Sequence, residues 1–347
     1  MTHGRAILGL MLVARLALAA DAPATAPSTR PASPVRTGTA IDLGLLHLQR
    51  QQHAEGHFQS DPKVAVTALV LTSYLAAGHA PDVGRHGTTV RRAMEYLLKM
   101  APEDGYFGKV DGSRMYGHAI VVAALCNAYG VEQDPARRVG MRAVLVRAVK
   151  VILDAQALKK DAPHAGGWRY EPTSTDSDLS VTGQVAIALR AARDIGLEVP
   201  AAVAEAAVAY VARCHRPDSG GGFAYQPGGE PTTTMTAAAM ISLSLLAGSD
   251  RPEFDAGAKF LREHPVADAT RFPHYALYHA TQAAHRIGSE TWTATWRVTQ
   301  QRLLATQLPS GAWPQSATAE EPGEVYATAM AVLALSVPHG VLPMYQR

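Results

Sequence analysis

The sequence predicts an all-α protein, a closed double ring of six inner and six outer helices. Three observations carry this prediction. A Gly-x-aromatic turn recurs five times, as Gly56-His57-Phe58, Gly105-Tyr106-Phe107, Gly166-Gly167-Trp168, Gly221-Gly222-Phe223 and Gly311-Ala312-Trp313. Before each turn lies an amphipathic segment whose apolar residues fall three and four apart, the spacing of one helical face. After each turn lies a segment rich in Ala and almost without charge at its start. Such a helix must be covered on all sides and therefore belongs inside. The intervals between turns are uneven, as expected of one repeated unit with loops of different length. A sixth, degenerate copy without the glycine is expected at Phe272.

The elements follow in order. "AIDLGLLHLQRQQ" is the first outer helix and "VAVTALVLTSYLAAG" the first inner one. "VRRAMEYLLKM" and "MYGHAIVVAALCNAYG" form the second pair, "VLVRAVKVILDAQ" and "LSVTGQVAIALRAARDIG" the third. "VAEAAVAYVARCH" pairs with "TTMTAAAMISLSLLAG", "FDAGAKFLREH" with "HYALYHATQAAHRIG", and "WRVTQQRLLATQ" with "VYATAMAVLALSV". Five of the inner segments end in glycine, a helix stop signal. An open solenoid of stacked helix pairs is the alternative, but it would need polar capping repeats at its ends. Neither end has one, and six pairs suffice to close a ring.

The remaining residues bound the rest. Residues 1–20, "MTHGRAILGLMLVARLALAA", read as a signal peptide: Arg5, an apolar stretch interrupted by Arg15, and a small-x-small site at Ala17-Leu18-Ala19, too short for a good membrane span. Export to the periplasm or beyond is the expectation, with no transmembrane segment after the leader. Residues 21–36 read as a disordered Pro/Ala linker, which has too little apolar surface to pack. Residues 37–347 form one domain. The 347 residues are 47% hydrophobic, enough for a large core. A net charge of +2, from 32 basic and 30 acidic residues, carries no basic run, so nucleic acid is excluded as a partner. The two cysteines, Cys126 and Cys214, sit in apolar helical patterns and read as buried small hydrophobes rather than a disulfide framework.

The turns also carry a resemblance. Gln52 precedes Gly56-His57-Phe58, Gln307 precedes Gly311-Ala312-Trp313, and, more loosely, Gln156 precedes Gly166-Gly167-Trp168. This is similar to the QW repeat of squalene cyclases and the wider prenyltransferase/squalene oxidase repeat family, over about residues 40–340. The resemblance implies an (α/α)6 toroid. Physically, the Gln can satisfy backbone groups at helix ends and the aromatic can pack at the corner, so Phe58, Phe107, Trp168, Phe223 and Trp313 read as structural.

If the inner helices run parallel, their N-terminal ends converge on one rim, which is the expected pocket mouth. The sequence puts Asp61, Asp111, Tyr116, His118, Glu171, Asp176, Asp178, Thr232, Thr233, Thr234, His274, Tyr275, Tyr278, Glu324 and Tyr326 near it. Asp176, Asp178 and His118 are the candidates for acid–base chemistry. Tyr116, Thr234, His274, Tyr275, Tyr278 and Tyr326 are candidate pocket lining, and positions 275, 278 and 279 share one helical face.

The resemblance sharpens two of these. Squalene cyclases carry Asp-x-Asp-Asp before a Thr-Ala inner helix, and the middle Asp protonates the substrate. Anchored on Thr182, Asp178 falls on the first Asp, Ser180 on the middle one and Val181 on the last. The donor is thus replaced, and Asp178 reads as a helix cap. Protein prenyltransferases complete a zinc site with a His near an inner-helix start. Here Cys126 lies eight residues after His118 and no Asp-x-Cys occurs, so no metal and no cofactor are expected. Nucleophile-elbow, P-loop, His-Glu-x-x-His and Cys-x-x-Cys motifs are absent. With 6% aromatic residues, the chain is short of cation-stabilising walls. The resulting expectation is an exported module that binds an isoprenoid, another small molecule or a protein partner. The alternative is an enzyme acting on isoprenoids or, further off, polysaccharides. An aromatic channel would favour the first substrate, a polar funnel glycans, and a filled ring surface binding only.

Overall fold

The computed structural model describes residues 34–58, 61–266, 271–315 and 320–346. The leader and most of the linker lie outside the described residues. Twelve α-helices follow: α1 (Pro34–Arg50), α2 (Lys63–Ala76), α3 (Gly87–Lys99), α4 (Arg114–Val131), α5 (Pro135–Ala157) and α6 (Leu179–Asp194) in the first half. The second half has α7 (Ala201–Arg213), α8 (Thr233–Leu246), α9 (Pro252–Glu263), α10 (Pro273–Ile287), α11 (Ser289–Thr306) and α12 (Glu324–Ser336). Helix α1 starts at Pro34, inside the segment read as linker to residue 36. One small addition to the all-α plan is a two-stranded antiparallel hairpin at the fourth corner, His215–Arg216 with Gly222–Phe223.

The even-numbered helices form the inner ring. Each packs on the next, α2 on α4, α4 on α6, α6 on α8, α8 on α10 and α10 on α12, and α12 returns to α2. The ring is therefore closed, not a solenoid. Composition explains the placement. In α2 every residue from Val64 to Ala76 is buried, and in α12 every residue from Val325 to Ser336. The odd-numbered helices bury one face only: α3 turns Val90, Ala93, Met94 and Leu97 inward and leaves its charges outside. Helix α1 packs on α12, so the first outer helix covers the last inner one and locks the ring.

The Gln residues of the corners tie neighbouring outer helices together. Gln52 Nε2 donates to the carbonyls of Gly56 (2.9 Å) and Thr89 in α3 (3.0 Å). Gln156 repeats this with Gly166 (2.7 Å) and Val203 in α7 (3.0 Å). Gln307 does so with Gly311 (2.9 Å) and Ala40 in α1 (2.9 Å), across the closure. The corner glycines are required twice over. Gly166 and Gly311 have φ of +86° and +91°, and a Cβ would lie 2.2 Å from Ala206 O and 2.3 Å from Leu43 O. The aromatics beside them are fully buried, and the indole N–H groups of Trp168 and Trp313 donate to Ile152 O (2.8 Å) and Leu303 O (2.7 Å). The expected sixth corner differs. Phe272 is 40% exposed, lies against Arg271, and is not a corner aromatic.

Both cysteines are buried and form no disulfide, and burial pushes the Cys214 thiol up to about 12. No helix among the described residues is long and apolar enough to cross a membrane. After α12, a turn at Pro343–Tyr345 packs against α6 and α10, with Met344 and Tyr345 buried.

Candidate functional site

The corner hydrogen bonds settle the role of His118. In four repeats the N–H of the corner aromatic donates to a Thr hydroxyl near the start of the inner helix. The pairs are Phe58 with Thr67 (3.3 Å), Trp168 with Thr182 (3.0 Å), Phe223 with Thr236 (2.9 Å) and Trp313 with Thr328 (3.0 Å). In the second repeat Phe107 N–H donates instead to His118 Nδ1 (3.3 Å), and the other ring nitrogen donates to Ala148 O (3.0 Å). His118 is fully buried and burial pushes its pKa down to about 4. Both nitrogens serve the corner, so its candidacy as a pocket acid or base is corrected to a structural one.

The inner-helix N-termini are next. Asp111, in the loop of the second repeat, reaches over the first and accepts from Val64 N (2.8 Å) and Ala65 N (2.9 Å) of α2. Tyr170 O accepts from Met115 N of α4 (2.9 Å), and Tyr225 O from Leu179 N of α6 (2.8 Å). Glu321 accepts from the His274 N–H (2.7 Å) at the start of α10 and lies 2.7 Å from that residue's ring Nδ1. Each of these loops thus caps the inner helix of the preceding repeat. Asp178 and Thr232 cap their own helices, through Val181 N (2.9 Å) and Met235 N (3.2 Å).

Asp178 therefore sits where the cap reading put it. It is fully buried, accepts a second bond from the Ser180 hydroxyl (2.6 Å), and faces Arg169 at 3.6 Å. Burial raises its pKa, opposed by Ser180, the Val181 amide and Arg169. Asp176 lies at the surface of the same loop, 3.2 Å from Arg169. Glu171 is exposed and meets Arg114 (3.3 Å), Asp61 is exposed, Thr233 bonds His264 O (3.0 Å), and Glu324 pairs with His47 (3.1 Å).

Tyrosines fill the mouth. Tyr116 on α4 and Tyr275 on α10, which stand opposite each other in the ring, meet with ring centroids 6.3 Å apart. Tyr326 joins them, and all three phenols are held well above their ordinary pKa, first by burial. Thr234 is half-buried in the first turn of α8. Beside them is a group the sequence reading did not single out. The Arg169 guanidinium lies 5.3 Å from the Tyr170 ring and 5.6 Å from the Tyr225 ring. The two phenol oxygens are 2.8 Å apart. Behind the loop, Lys160 donates to Gly167 O (2.7 Å) and Ser177 Oγ (3.2 Å), and burial lowers its pKa to about 8. One signal could have found the tyrosines: each stands two residues after a corner aromatic, Trp168 and Phe223.

Tyr278 belongs elsewhere. One turn deeper in α10, it is 4% exposed and its hydroxyl meets that of Tyr345, 3.2 Å away. Gln282 (3.4 Å) and Arg286 donate to Met344 O, and Arg286 also donates to Ser244 near the end of α8. The chain end thus fills the ring from the C-terminal side, and Tyr278 is a bore residue, not mouth lining. His279 above it is also buried and bonded to Tyr275 O (2.9 Å). On that C-terminal side a groove of ≈ 520 Å³ opens between α7 and the ends of α6 and α8, lined by Arg193, Val199, Glu205, Val208, Leu246 and Arg251.

No protein-family model matches this sequence, and no curated protein matches it. Solved structures do. The alpha-1,6-mannanase GH76A of Salegentibacter sp. HEL1_6 superposes with a TM-score of 0.62 at 11% identity, covering 88% of this chain and 100% of that one. The cellobiose 2-epimerase of Spirochaeta thermophila DSM 6192 gives 0.59 at 16%, covering 87% and 97%. A D-mannose isomerase gives 0.59 at 12%, covering 90% and 100%. At these identities the likeness establishes the fold, an α/α toroid, and the prenyltransferase resemblance narrows to that fold.

Proposed function

We propose that this protein binds a saccharide at the mouth formed by the inner-helix N-termini, on the surface made by Arg169, Tyr170 and Tyr225 with Asp176. The observation that carries the reading is the arginine set between two tyrosine rings whose phenols touch. Tyrosine faces stack on the apolar side of a sugar ring, while phenols, guanidinium and carboxylate supply hydrogen bonds at its edge. Three proteins of the same fold, named as an alpha-1,6-mannanase, a cellobiose epimerase and a mannose isomerase, support a sugar over an isoprenoid. So does the contact of Tyr116 with Tyr275 across the ring, which obstructs the deep apolar channel a polyprenyl chain needs.

Binding is favoured over cleavage by what the carboxylates already do. Glycoside hydrolysis takes a pair of carboxyl groups, one protonated and one ionised, flanking the bond. Asp111, Asp178 and Glu321 each spend an oxygen on helix N–H groups, and Asp176 is paired with Arg169. The signal peptide expected at residues 1–20 is consistent with this proposal, since export would bring the chain to where polysaccharide is met.

Calorimetric titration with α-1,6-mannotriose and with cellobiose tests the proposal. Binding of one of them, weakened about tenfold or more by Tyr170→Ala or Tyr225→Ala, corresponding to at least about 1.4 kcal/mol, supports it. Release of reducing sugar that Asp176→Ala abolishes would move the reading to a hydrolase. No heat with either sugar, together with retention of a polyprenol, would overturn it.

A further inference from the structure

The first corner carries a group that neither the ring nor the mouth uses. Among the described residues one trio of potential metal ligands comes together, His53, Glu55 and His57, with one ligand atom of each within 4.8 Å of the others. The turn builds this. His53 N–H donates to His57 O (2.8 Å), and Gly56 N–H to His53 O (2.9 Å). Gln52 and Phe58 pair as an antiparallel bridge outside them. Positions 53 and 57 therefore face each other across a tight turn and project to one side, with Glu55 at the tip.

The frame around the trio is fixed from outside. Arg92 donates to His53 O (2.9 Å) and Ala54 O (2.6 Å), and Gln52 clamps Gly56 O and Thr89 O. His57 is buried against Tyr96, with ring centroids 5.2 Å apart. Its Nδ1 lies 3.2 Å from Phe58 O. An N–H donated there leaves the lone pair on Nε2, which points toward the Glu55 carboxylate 3.8 Å away. A carbonyl that orients the ring in this way is the usual outer support of a metal-bound histidine. His53 and Glu55 are exposed. The two imidazoles are stacked, 4.5 Å apart and 12° from parallel, so their lone pairs do not yet converge. His53 Nδ1 accepts from the Glu55 N–H (3.4 Å), so shared coordination requires the exposed His53 side chain to rotate away from that bond.

We propose that this corner binds a divalent transition-metal ion of the zinc class, held by His53, Glu55 and His57, with water completing a tetrahedron. Two imidazoles and one carboxylate suit zinc and its neighbours. Calcium and magnesium prefer oxygen ligands alone and make poor occupants. The ion would clasp the two limbs of the turn between α1 and α2.

The test uses the whole chain, stripped of metal and titrated with zinc sulfate by calorimetry, with the unfolding temperature read in parallel. The chain has 14 histidines, so variants decide the location. The expected result is one zinc per chain and a zinc-dependent rise in unfolding temperature. Glu55→Gln should weaken binding at least tenfold, and His53→Ala should abolish it. Magnesium and calcium should leave the unfolding temperature unmoved. His53 and Glu55 are exposed, so both variants should fold, as circular dichroism of the metal-free proteins would verify. Absence of zinc binding in the wild-type chain, or equal binding by His53→Ala, would overturn the proposal. Neither outcome bears on the saccharide reading, which shares no residue with this corner.

Discussion

Replacement of Asp178 separates a helix cap from a proton donor. The residue is fully buried at the start of α6, bonded to Val181 N–H and the Ser180 hydroxyl through one oxygen and facing Arg169 with the other. Asn keeps an acceptor for the cap, whereas Ala removes it. Loss of the cap costs about 1 kcal/mol, and stranding buried donors adds about 1–2 kcal/mol. Arg169 retains Asp176 at 3.2 Å, which holds that second figure at its lower end. Asp178→Ala should therefore lose about 2 kcal/mol of stability.

The Asn variant turns on the sign of the charge effect. Burial raises the folded-state pKa of Asp178 above its unfolded value. The stabilisation linked to its protonation is complete below the unfolded pKa and is lost as pH rises through the folded one. At neutral pH the ionised form is thus the costlier one, and Asp178→Asn, which keeps the cap acceptor, should change stability by less than about 1 kcal/mol. Urea unfolding of the three proteins at pH 7, with saccharide titration of each, reads both effects. An Asn variant that loses as much stability as the Ala variant would refute the cap. So would an Ala variant of wild-type stability.

Two further outcomes are expected. His86, His118 and His279 are all buried and pushed down to about 4 from 6.5. A base with a depressed folded pKa contributes stability above its unfolded pKa and loses it as pH falls toward the folded one. Unfolding free energy should therefore drop between pH 6.5 and pH 4 by up to about 1.4 kcal/mol per pH unit for each group; urea midpoints that stay flat over that range would be the contrary result. Gly311→Ala forces φ +91° on a side chain and a Cβ to within 2.3 Å of Leu43 O. It should cost more than about 2 kcal/mol, while Gly340→Ala, at φ +61° with open space around it, should cost about 1 kcal/mol. Equal losses by denaturation would remove the ring-closure account of Gly311.

Five corners were legible because glycine and aromatic recur two residues apart in each, and the physics that selects them is local. Phe272 misled because an aromatic before an Ala-rich helix looks like a corner. In the first turns of α10, Ala276 and Leu277 stand where the other repeats place Thr or His, so no side chain there can receive a corner N–H. His118 misled in the opposite sense. A His at an inner-helix start suggests chemistry, and only the matching bonds of Thr67, Thr182, Thr236 and Thr328 reveal it as a stand-in for Thr. The spacing of His53, Glu55 and His57 was visible, but side chains two apart come together only where the chain turns back, as it does here.

The sequence by itself determined the double ring. Helix periodicity, charge segregation and corner glycines are properties of short segments, and six apolar helices have few ways to be covered. Tertiary structure alone decided what stands over each inner helix. Asp111 caps an amide 47 residues before it, and Glu321 another 47 residues before it, because these loops cover the preceding repeat. Tyr116 and Tyr275 meet only because closure sets α4 opposite α10. Loop length and ring diameter fix these contacts, and neither is written in any local pattern.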